Sequence, residues 1–281
     1  MPSQQFSIIG FIKITRFWNL LIIALAQYFT AVFLIGFEKI WDLRLFLLST
    51  STVVIAAAGY IINDYYDVKI DLINKPERVV IGKQIARRYA ILFHSALSII
   101  GTGIGFILNW KIGVINFFSA FLLWWYSNDL KRQPFIGNFV VSLLTGLSIF
   151  LINVLYSTNE SLVVIYSLFA FGMTLIREIV KDIEDLKGDN TFGCKTLPIV
   201  WGTRKTKFFI YLLLLLLFVS VLYISRIYQQ LPVIYFALFL FVPLFFLFVR
   251  LVRADTKKDF YYLSQWCKVI MLLGIASMVF I

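Results

Sequence analysis

The chain has 281 residues, of which 60% are hydrophobic and 29 are phenylalanine, and its formal net charge is +11. A soluble fold of this length cannot cover so much apolar surface, so the composition excludes a soluble protein and predicts an integral membrane protein. The apolar segments lack an alternation of period two, which excludes a transmembrane β-barrel. We expect one all-α membrane domain over residues 1–281.

Nine apolar segments in the sequence predict about nine transmembrane helices in a bundle. Most of them approach the roughly 20 residues that a helix needs to cross the hydrocarbon core of a bilayer. The segment at 112–127 is short for a span. The predicted segments are 17–37, 44–62, 88–108, 112–127, 138–156, 161–180, 208–225, 231–250 and 263–281.

The basic residues are distributed unevenly between the two sides of this bundle. All but four of the 26 Lys and Arg residues lie in the N-terminal tail or in connections on the same side as that tail. The four on the opposite side are Lys39, Arg44, Lys111 and Arg226. The positive-inside rule therefore predicts a multi-pass protein of the cell membrane with a cytoplasmic N-terminus. Topology accounts for the basic excess, so we expect no nucleic-acid partner.

Two acidic clusters with the same spacing, D-x-x-D-x-x-x-D, follow segments 2 and 6, on the predicted cytoplasmic side. The first contains Asp64, Asp67 and Asp71, and the second contains Asp182, Asp185 and Asp189. On a helix these offsets fall within roughly 60° of arc, so each cluster would point its carboxylates in one direction. Carboxylates near a bilayer cost a few kcal/mol and repel one another unless a cation binds them. The repeat therefore predicts two halves of a divalent-metal site.

The residues around the first cluster indicate which ligand the metal would hold. Asn63 precedes the cluster, and Lys75 and Arg78 follow it. Mg²⁺ prefers oxygen ligands and is often bound by a few carboxylates together with substrate phosphates, while nearby cations bind the remaining phosphate oxygens. The pattern is typical of a site for a metal–diphosphate complex.

A third element lies in the connection after segment 4, where Tyr126 and Lys131 would face the same cytoplasmic vestibule as the acidic clusters. A charged residue beside an interfacial aromatic is also an ordinary way to end a membrane span. Both interpretations stay open for this pair.

Together these motifs resemble the UbiA superfamily of intramembrane prenyltransferases. Its N-D-x-x-D-x-x-x-D motif matches Asn63 to Asp71, its second acidic motif matches Asp182 to Asp189, and its Y-x-x-x-x-K element matches Tyr126 and Lys131. The resemblance implies nine helices in two related halves, with both acidic motifs on cytoplasmic loops. The residues in and around these motifs are most similar to those of the branch that transfers a geranylgeranyl group to geranylgeranylglyceryl phosphate. That branch usually continues R-P-I-P-S-G, where this chain has R-V-V-I-G at residues 78–82.

The resemblance also implies the reaction and the roles of the site residues. Mg²⁺ would be held by Asp64, Asp67, Asp182 and Asp185, and would bridge the diphosphate of an allylic isoprenoid such as geranylgeranyl diphosphate. Arg78, Lys131 and Lys195 would neutralise the diphosphate. The residues expected in support, at the diphosphate or behind the metal ligands, are Asn63, Asp71, Tyr126, Asp189 and Lys195. The acceptor would be geranylgeranylglyceryl phosphate or, alternatively, an aromatic precursor such as 4-hydroxybenzoate, dihydroxynaphthoate or homogentisate.

Aromatic side chains would shield the allylic carbocation, and Tyr60, Trp124 and Trp125 are candidates that could equally face lipid or the core.

Two other protein classes use membrane carboxylates. A cation transporter would place them in the middle of its spans rather than at one end. A CDP-alcohol phosphotransferase requires Gly after the second Asp of its motif, where this chain has Val68.

Overall fold

The computed structural model describes residues 7–158, 160–227 and 237–281, and these ranges form helices and no β-sheet. A π-helical turn, Thr30–Ile35, directly follows the helix Phe17–Phe29, and another, Ala237–Phe241, directly precedes the helix Val242–Arg253. The helices are α1 (Ile8–Ile14), α2 (Phe17–Phe29), α3 (Leu43–Asn74), α4 (Arg87–Leu108), α5 (Trp110–Asn128), α6 (Ile136–Tyr156), α7 (Ser161–Glu184), α8 (Leu186–Thr191), α9 (Leu197–Ile227), α10 (Val242–Arg253) and α11 (Lys257–Ser277).

Seven helices in the described ranges are long and apolar enough to cross a membrane, which confirms the all-α membrane class. They correspond to seven of the nine predicted segments. Segment 112–127 forms α5, which is not among the seven, and segment 231–250 begins at residues outside the described ranges and continues as α10. The count of nine, the two related halves, the single domain over 1–281 and the cytoplasmic N-terminus stay predictions.

Helix α3 is 32 residues long and extends well past the predicted end of its apolar segment at residue 62. No glycine or proline interrupts residues 63–75, so the hydrogen-bond ladder continues until Lys75 N–H donates to the Asp71 carbonyl at 2.7 Å, directly before Pro76. The expectation that the first acidic motif lies on a loop is therefore wrong. The motif occupies the last turns of a continuous helix.

The second acidic motif is divided between two helices. Helix α7 ends at Glu184, and Asp185 adopts φ −94° and ψ 5° between α7 and the short α8. Asp182 thus lies on α7, whereas Asp189 lies on α8. The expectation of a loop, and that of one continuous helical face for the second motif, are both wrong.

The central helices α3 and α7 bring their C-terminal ends together. Helix α3 packs against α4 and α5, while α7 packs against α6, α9 and α11. At the junction, the Asn74 amide donates to the Asp185 carbonyl at 3.0 Å and accepts from Gly188 N–H at 2.9 Å. The buried Asn74 side chain therefore joins the end of the first motif to the break in the second.

The loop after α3 is held in place by apolar packing, although it lacks the two prolines of the R-P-I-P-S-G pattern. Val80, Ile81 and Ile85 are buried and form a small core with Ile14 of α1 and Ile61 of α3. The loop turns at Gly82, whose φ of +85° suits glycine. Burial of three aliphatic side chains holds this loop against the bundle.

Close packing of α4 against α3 depends on Gly101, and we expect Gly101→Ala to lower the thermal stability of the purified protein. An added Cβ would lie 2.9 Å from the Ser51 carbonyl oxygen and 2.6 Å from Ile55 Cγ1. Overpacking of this kind costs about 1–3 kcal/mol. Gly103→Ala on the same helix is the control, because nothing lies within 4 Å of its Cβ position and alanine favours a helix. Equal melting temperatures of the two variants in detergent would contradict this account.

Candidate active site

Arginine 16, at the start of α2, pairs with the first aspartate of the α3 motif. Its Nη2 donates to Asp64 Oδ1 at 2.7 Å, and its guanidinium lies 4.9 Å from the centre of the Tyr60 ring. Tyr60 precedes Asp64 by one helical turn, so α3 presents a π-face and a carboxylate to the same cation. The N-terminal segment therefore closes one side of the first cluster.

Lys131 occupies the other side of this cluster, as the sequence motif predicted. Its Nζ lies 2.5 Å from Asp67 Oδ1 and 3.4 Å from Asn63 Oδ1. The Asn63 amide in turn donates to Asp67 Oδ2 at 2.9 Å. The structure thus brings Lys131 of the Y-x-x-x-x-K element to Asn63 and Asp67 of the first acidic motif.

The second cluster is held by residues from two neighbouring elements. Asn138 of α6 donates to Asp182 Oδ2 at 2.9 Å. Lys75 Nζ lies 2.8 Å from Asp185 and 3.0 Å from the buried Glu184. Burial disfavours the charged form of Lys75, but the Asp185 and Glu184 carboxylates outweigh that effect and raise the pKa of the amine. A cation from the end of α3 therefore neutralises the second motif.

Asp71 and Asp189, the last members of the two motifs, have no ion-pair partner in the described part of the chain. Asp71 interacts electrostatically with Asp185 of the other cluster, and Asp189 interacts with Asp67. Burial and the Asp185 and Asp67 carboxylates raise the pKa of Asp189 to about 7. The two clusters are therefore close enough to repel each other, which is the condition under which a bound cation stabilises both.

The donor groups at this site fit a hard divalent cation, because they are carboxylate oxygens with a neighbouring amide oxygen from Asn63. Within the described residues, no three His, Cys, Asp or Glu side chains are arranged as a metal-binding group. The carboxylates of Asp64, Asp67 and Asp185 are instead turned toward Arg16, Lys131 and Lys75. The ligand chemistry therefore suits Mg²⁺, and basic side chains neutralise the same oxygens.

A cavity extends from this charged region into the bundle and encloses about 1400 Å³, part of it open solvent. Its charged and polar lining includes Arg16, Asn19, Tyr60, Asn63, Tyr126, Arg177, Glu178, Lys181 and Lys268. Its aliphatic lining includes Ile22, Ile23, Ile55, Leu123, Val141, Leu144, Leu147 and Leu151. A single cavity therefore connects a region of charged and polar side chains to an aliphatic wall.

The aromatic candidates divide between this cavity and the outer surface. Tyr60 and Tyr126 line the cavity. Trp124 and Trp125 are not among its lining residues; they are 38% and 42% exposed, and their rings pack against Phe121. The two tryptophans therefore correspond to the lipid-facing alternative.

Two predicted cations, Arg78 and Lys195, form no ion pair with the motif aspartates in the described part of the chain. Arg78 belongs to a short 3₁₀ turn after α3. Its side chain is 56% exposed and pairs with Glu77 at 3.9 Å. Lys195 is also exposed, and its backbone N–H donates to the Arg132 carbonyl at 2.7 Å. Because α3 continues to Asn74, the turn that carries Arg78 starts beyond the motif.

Sequence reasoning assigned no role to Arg16, Asn138 or Lys268. Arg16 and Lys268 were counted only among the basic residues that indicate the topology. The available signal was the position of these polar side chains next to, or within, apolar segments, where such residues are costly and are often functional. That signal does not name their partners, which come from remote parts of the chain.

Comparisons with known proteins agree with this geometry. The sequence profile described as the UbiA prenyltransferase family matches residues 17–269. The digeranylgeranylglyceryl phosphate synthase of Methanosphaera stadtmanae is 31% identical over 271 residues, which cover 95% of this chain and 97% of that protein.

Two solved structures share the fold. A structure of digeranylgeranylglyceryl phosphate synthase has a TM-score of 0.71 and 25% identity, over 96% of each chain. A UbiA homolog from Archaeoglobus fulgidus, bound to GPP and Mg²⁺, has a TM-score of 0.70 at 14% identity, over 96% of this chain and 99% of that one. The extent of the profile match and the identity to a full-length relative show that this chain belongs to the UbiA prenyltransferase family.

Proposed function

We propose that this protein transfers a geranylgeranyl group from geranylgeranyl diphosphate to geranylgeranylglyceryl phosphate. The observation that carries the proposal is the cavity, whose polar end lies beside the two facing aspartate clusters and whose aliphatic wall can accommodate an isoprenoid tail. The name of the Methanosphaera stadtmanae relative favours this acceptor over the aromatic alternative.

The donor would bind with its diphosphate at the aspartate clusters and its tail along the aliphatic wall. Asp64, Asp67, Asp182 and Asp185 would hold Mg²⁺, with Asp71 and Asp189 in support. When bound, Mg²⁺ acts as a Lewis acid that stabilises negative charge on phosphate oxygens. Burial of the tail among aliphatic side chains supplies about 25 cal/mol per Å² of apolar surface removed from water.

The reaction breaks the bond between C1 of the donor and the diphosphate oxygen, which keeps the electron pair. The acceptor hydroxyl oxygen forms a new bond to C1, and its proton is released. Lys131 and Arg16 are already held at the aspartates, so they can stabilise the developing charge of the leaving group without large rearrangement. The rings of Tyr60 and Tyr126 would face the allylic cation and limit the access of water.

We infer further that Arg78 and Lys195 contact the diphosphate only after movement of their loops, because both side chains are exposed here. The charge distribution of the sequence supports a cytoplasmic site and a cytoplasmic N-terminus. We treat residues 1–281 as one catalytic domain.

The acceptor can be tested directly with purified protein, radiolabelled geranylgeranyl diphosphate and Mg²⁺. We expect product with geranylgeranylglyceryl phosphate and none with 4-hydroxybenzoate or dihydroxynaphthoate in parallel reactions. Excess chelator should abolish turnover, and Mg²⁺ or Mn²⁺ should restore it. Transfer to an aromatic acceptor alone would disprove the proposed acceptor, and turnover in excess chelator would disprove the metal.

Asp64→Asn and Asp182→Asn should each lower kcat by about 100-fold or more, because each removes a charged ligand while keeping the size of the side chain. Asp182→Asn should keep the melting temperature of the wild type, because Asp182 accepts only from the neutral Asn138 side chain in the described part of the chain, whereas Asp64→Asn should still fold but melt lower, because Arg16 loses its partner. Asp255→Asn is the matched control, since the Asp255 side chain is 90% exposed and lies outside both motifs. Wild-type turnover in either cluster variant would remove the two-cluster site.

Leu147→Trp should shift donor preference toward shorter isoprenoid diphosphates. Leu147 lines the cavity and lies nine residues after Asn138 on α6, or about 13 Å along the helix from the residue that holds Asp182. The indole ring of a tryptophan at this position would obstruct the distal part of a long isoprenoid tail. Leu143→Trp on the same helix is the control, because Leu143 is 39% exposed and does not line the cavity. The ratio of kcat/KM for geranyl and geranylgeranyl donors is the measurement, and an unchanged ratio in Leu147→Trp would contradict this placement of the tail.

A further inference from the structure

A second group of cations lines the cavity on the side formed by α7 and α11. It consists of Arg177 and Lys181 on α7 and Lys268 on α11, and we call it the α7–α11 basic cluster. Lys268 lies within electrostatic reach of Arg177 and Lys181. None of these three described residues forms an ion pair with any of the six motif aspartates.

The carboxylates near this cluster do not neutralise it. Glu178 pairs with Arg177 and accepts from Lys181 Nζ at 2.9 Å. Lys268 Nζ donates to the neutral Asn19 side chain at 3.1 Å, and no carboxylate within the described ranges is within ion-pairing distance of it. One glutamate therefore pairs with two of the three cations, and Lys268 is left without a carboxylate partner in a membrane-embedded cavity, where uncompensated charge is costly.

Two buried polar atoms in the same region have no partner among the described groups. One is Nε of Arg177. The other is Oγ1 of Thr174, a residue that is only 4% exposed and lines the cavity one turn before Glu178. Helical threonines commonly donate to the carbonyl four residues earlier, as Thr145 does at 2.9 Å. A buried hydroxyl that forgoes this bond indicates a place for a ligand acceptor atom.

We infer that Arg177, Lys181 and Lys268, with the Thr174 hydroxyl, bind the phosphate monoester of the acceptor lipid. The inference rests on the proposed function and adds the acceptor's binding site to it. A phosphate monoester carries close to two negative charges and several strong acceptor oxygens, which match the excess positive charge and the two unpartnered donors. The diphosphate of the donor occupies the aspartate clusters, so the two anions are bound by different cations.

The test compares two acceptors, geranylgeranylglyceryl phosphate and geranylgeranylglycerol without its phosphate, at saturating geranylgeranyl diphosphate and Mg²⁺. Lys268→Gln should lower kcat/KM for the phosphorylated acceptor by about 10-fold or more, with little change for the unphosphorylated one. The KM for geranylgeranyl diphosphate should not change. Lys268→Arg should recover most of the loss, and Lys258→Gln, an exposed lysine on the same helix, should behave as wild type.

Thr174→Val tests whether a loss of kcat/KM for the phosphorylated acceptor can occur without a loss of folding. Replacing an unpartnered buried hydroxyl by a methyl group should leave the melting temperature unchanged or raise it. It should still raise the KM for the phosphorylated acceptor by about 3-fold or more, if the hydroxyl binds phosphate.

Several results would overturn the inference. A higher KM for the diphosphate donor in Lys268→Gln would assign the cluster to the donor. An equal loss for both lipid acceptors, or a preserved preference for the phosphorylated lipid in both Lys268→Gln and Thr174→Val, would remove the phosphate contact while leaving the proposed function intact. A wild-type enzyme that transfers only to aromatic acceptors would remove the proposed function together with the inference.

Discussion

The structure depends on the neutralisation of carboxylates at the end of membrane helices. An isolated carboxylate there is costly, and a neighbouring one adds repulsion. Arg16, Lys131 and Lys75 each pair with one motif aspartate, and they come from three different parts of the chain. Pairing therefore fixes how the start of α2, the turn after α5 and the end of α3 meet around the site. Because the partners of these pairs are buried or partly buried, removing one partner leaves an uncompensated charge.

The same pairs prepare the site for its chemistry. In the proposed reaction, a diphosphate that enters with Mg²⁺ would bring negative oxygens to a place where lysine and arginine side chains are already held. The break between α7 and α8 contributes as well, because it lets Asp189 on α8 interact with Asp67 of the α3 motif while Asp182 stays on α7. Asn74 maintains this junction through two hydrogen bonds to the backbone around the break. Fold and catalytic electrostatics therefore rely on the same residues.

The sequence predicted the membrane class and the two acidic motifs, because hydropathy and motif spacing carry that information locally, whereas the meeting of Lys131 with Asn63 and Asp67 was implied by the family resemblance. It failed where long-range pairing decides the outcome. Nothing near Arg16 specifies Asp64 as its partner, 48 residues away. Arg78 was expected at the diphosphate because it follows the first acidic motif closely, whereas α3 continues to Asn74 and the Arg78 side chain is exposed in the turn beyond it. Apolar length predicts where a span crosses the bilayer, not where its helix ends.

Charge placement also explains how one cavity can take two anionic lipids. If both anions shared a single set of cations, the first to bind would neutralise it and repel the second. Here the aspartate side carries the proposed metal ligands with Lys131, while the α7–α11 side carries Lys268, which has no carboxylate partner in the described chain. Separate cations keep the attraction for each substrate after the other has bound, because each anion is screened by its own partners. The aliphatic lining of the cavity then needs to supply only tail binding.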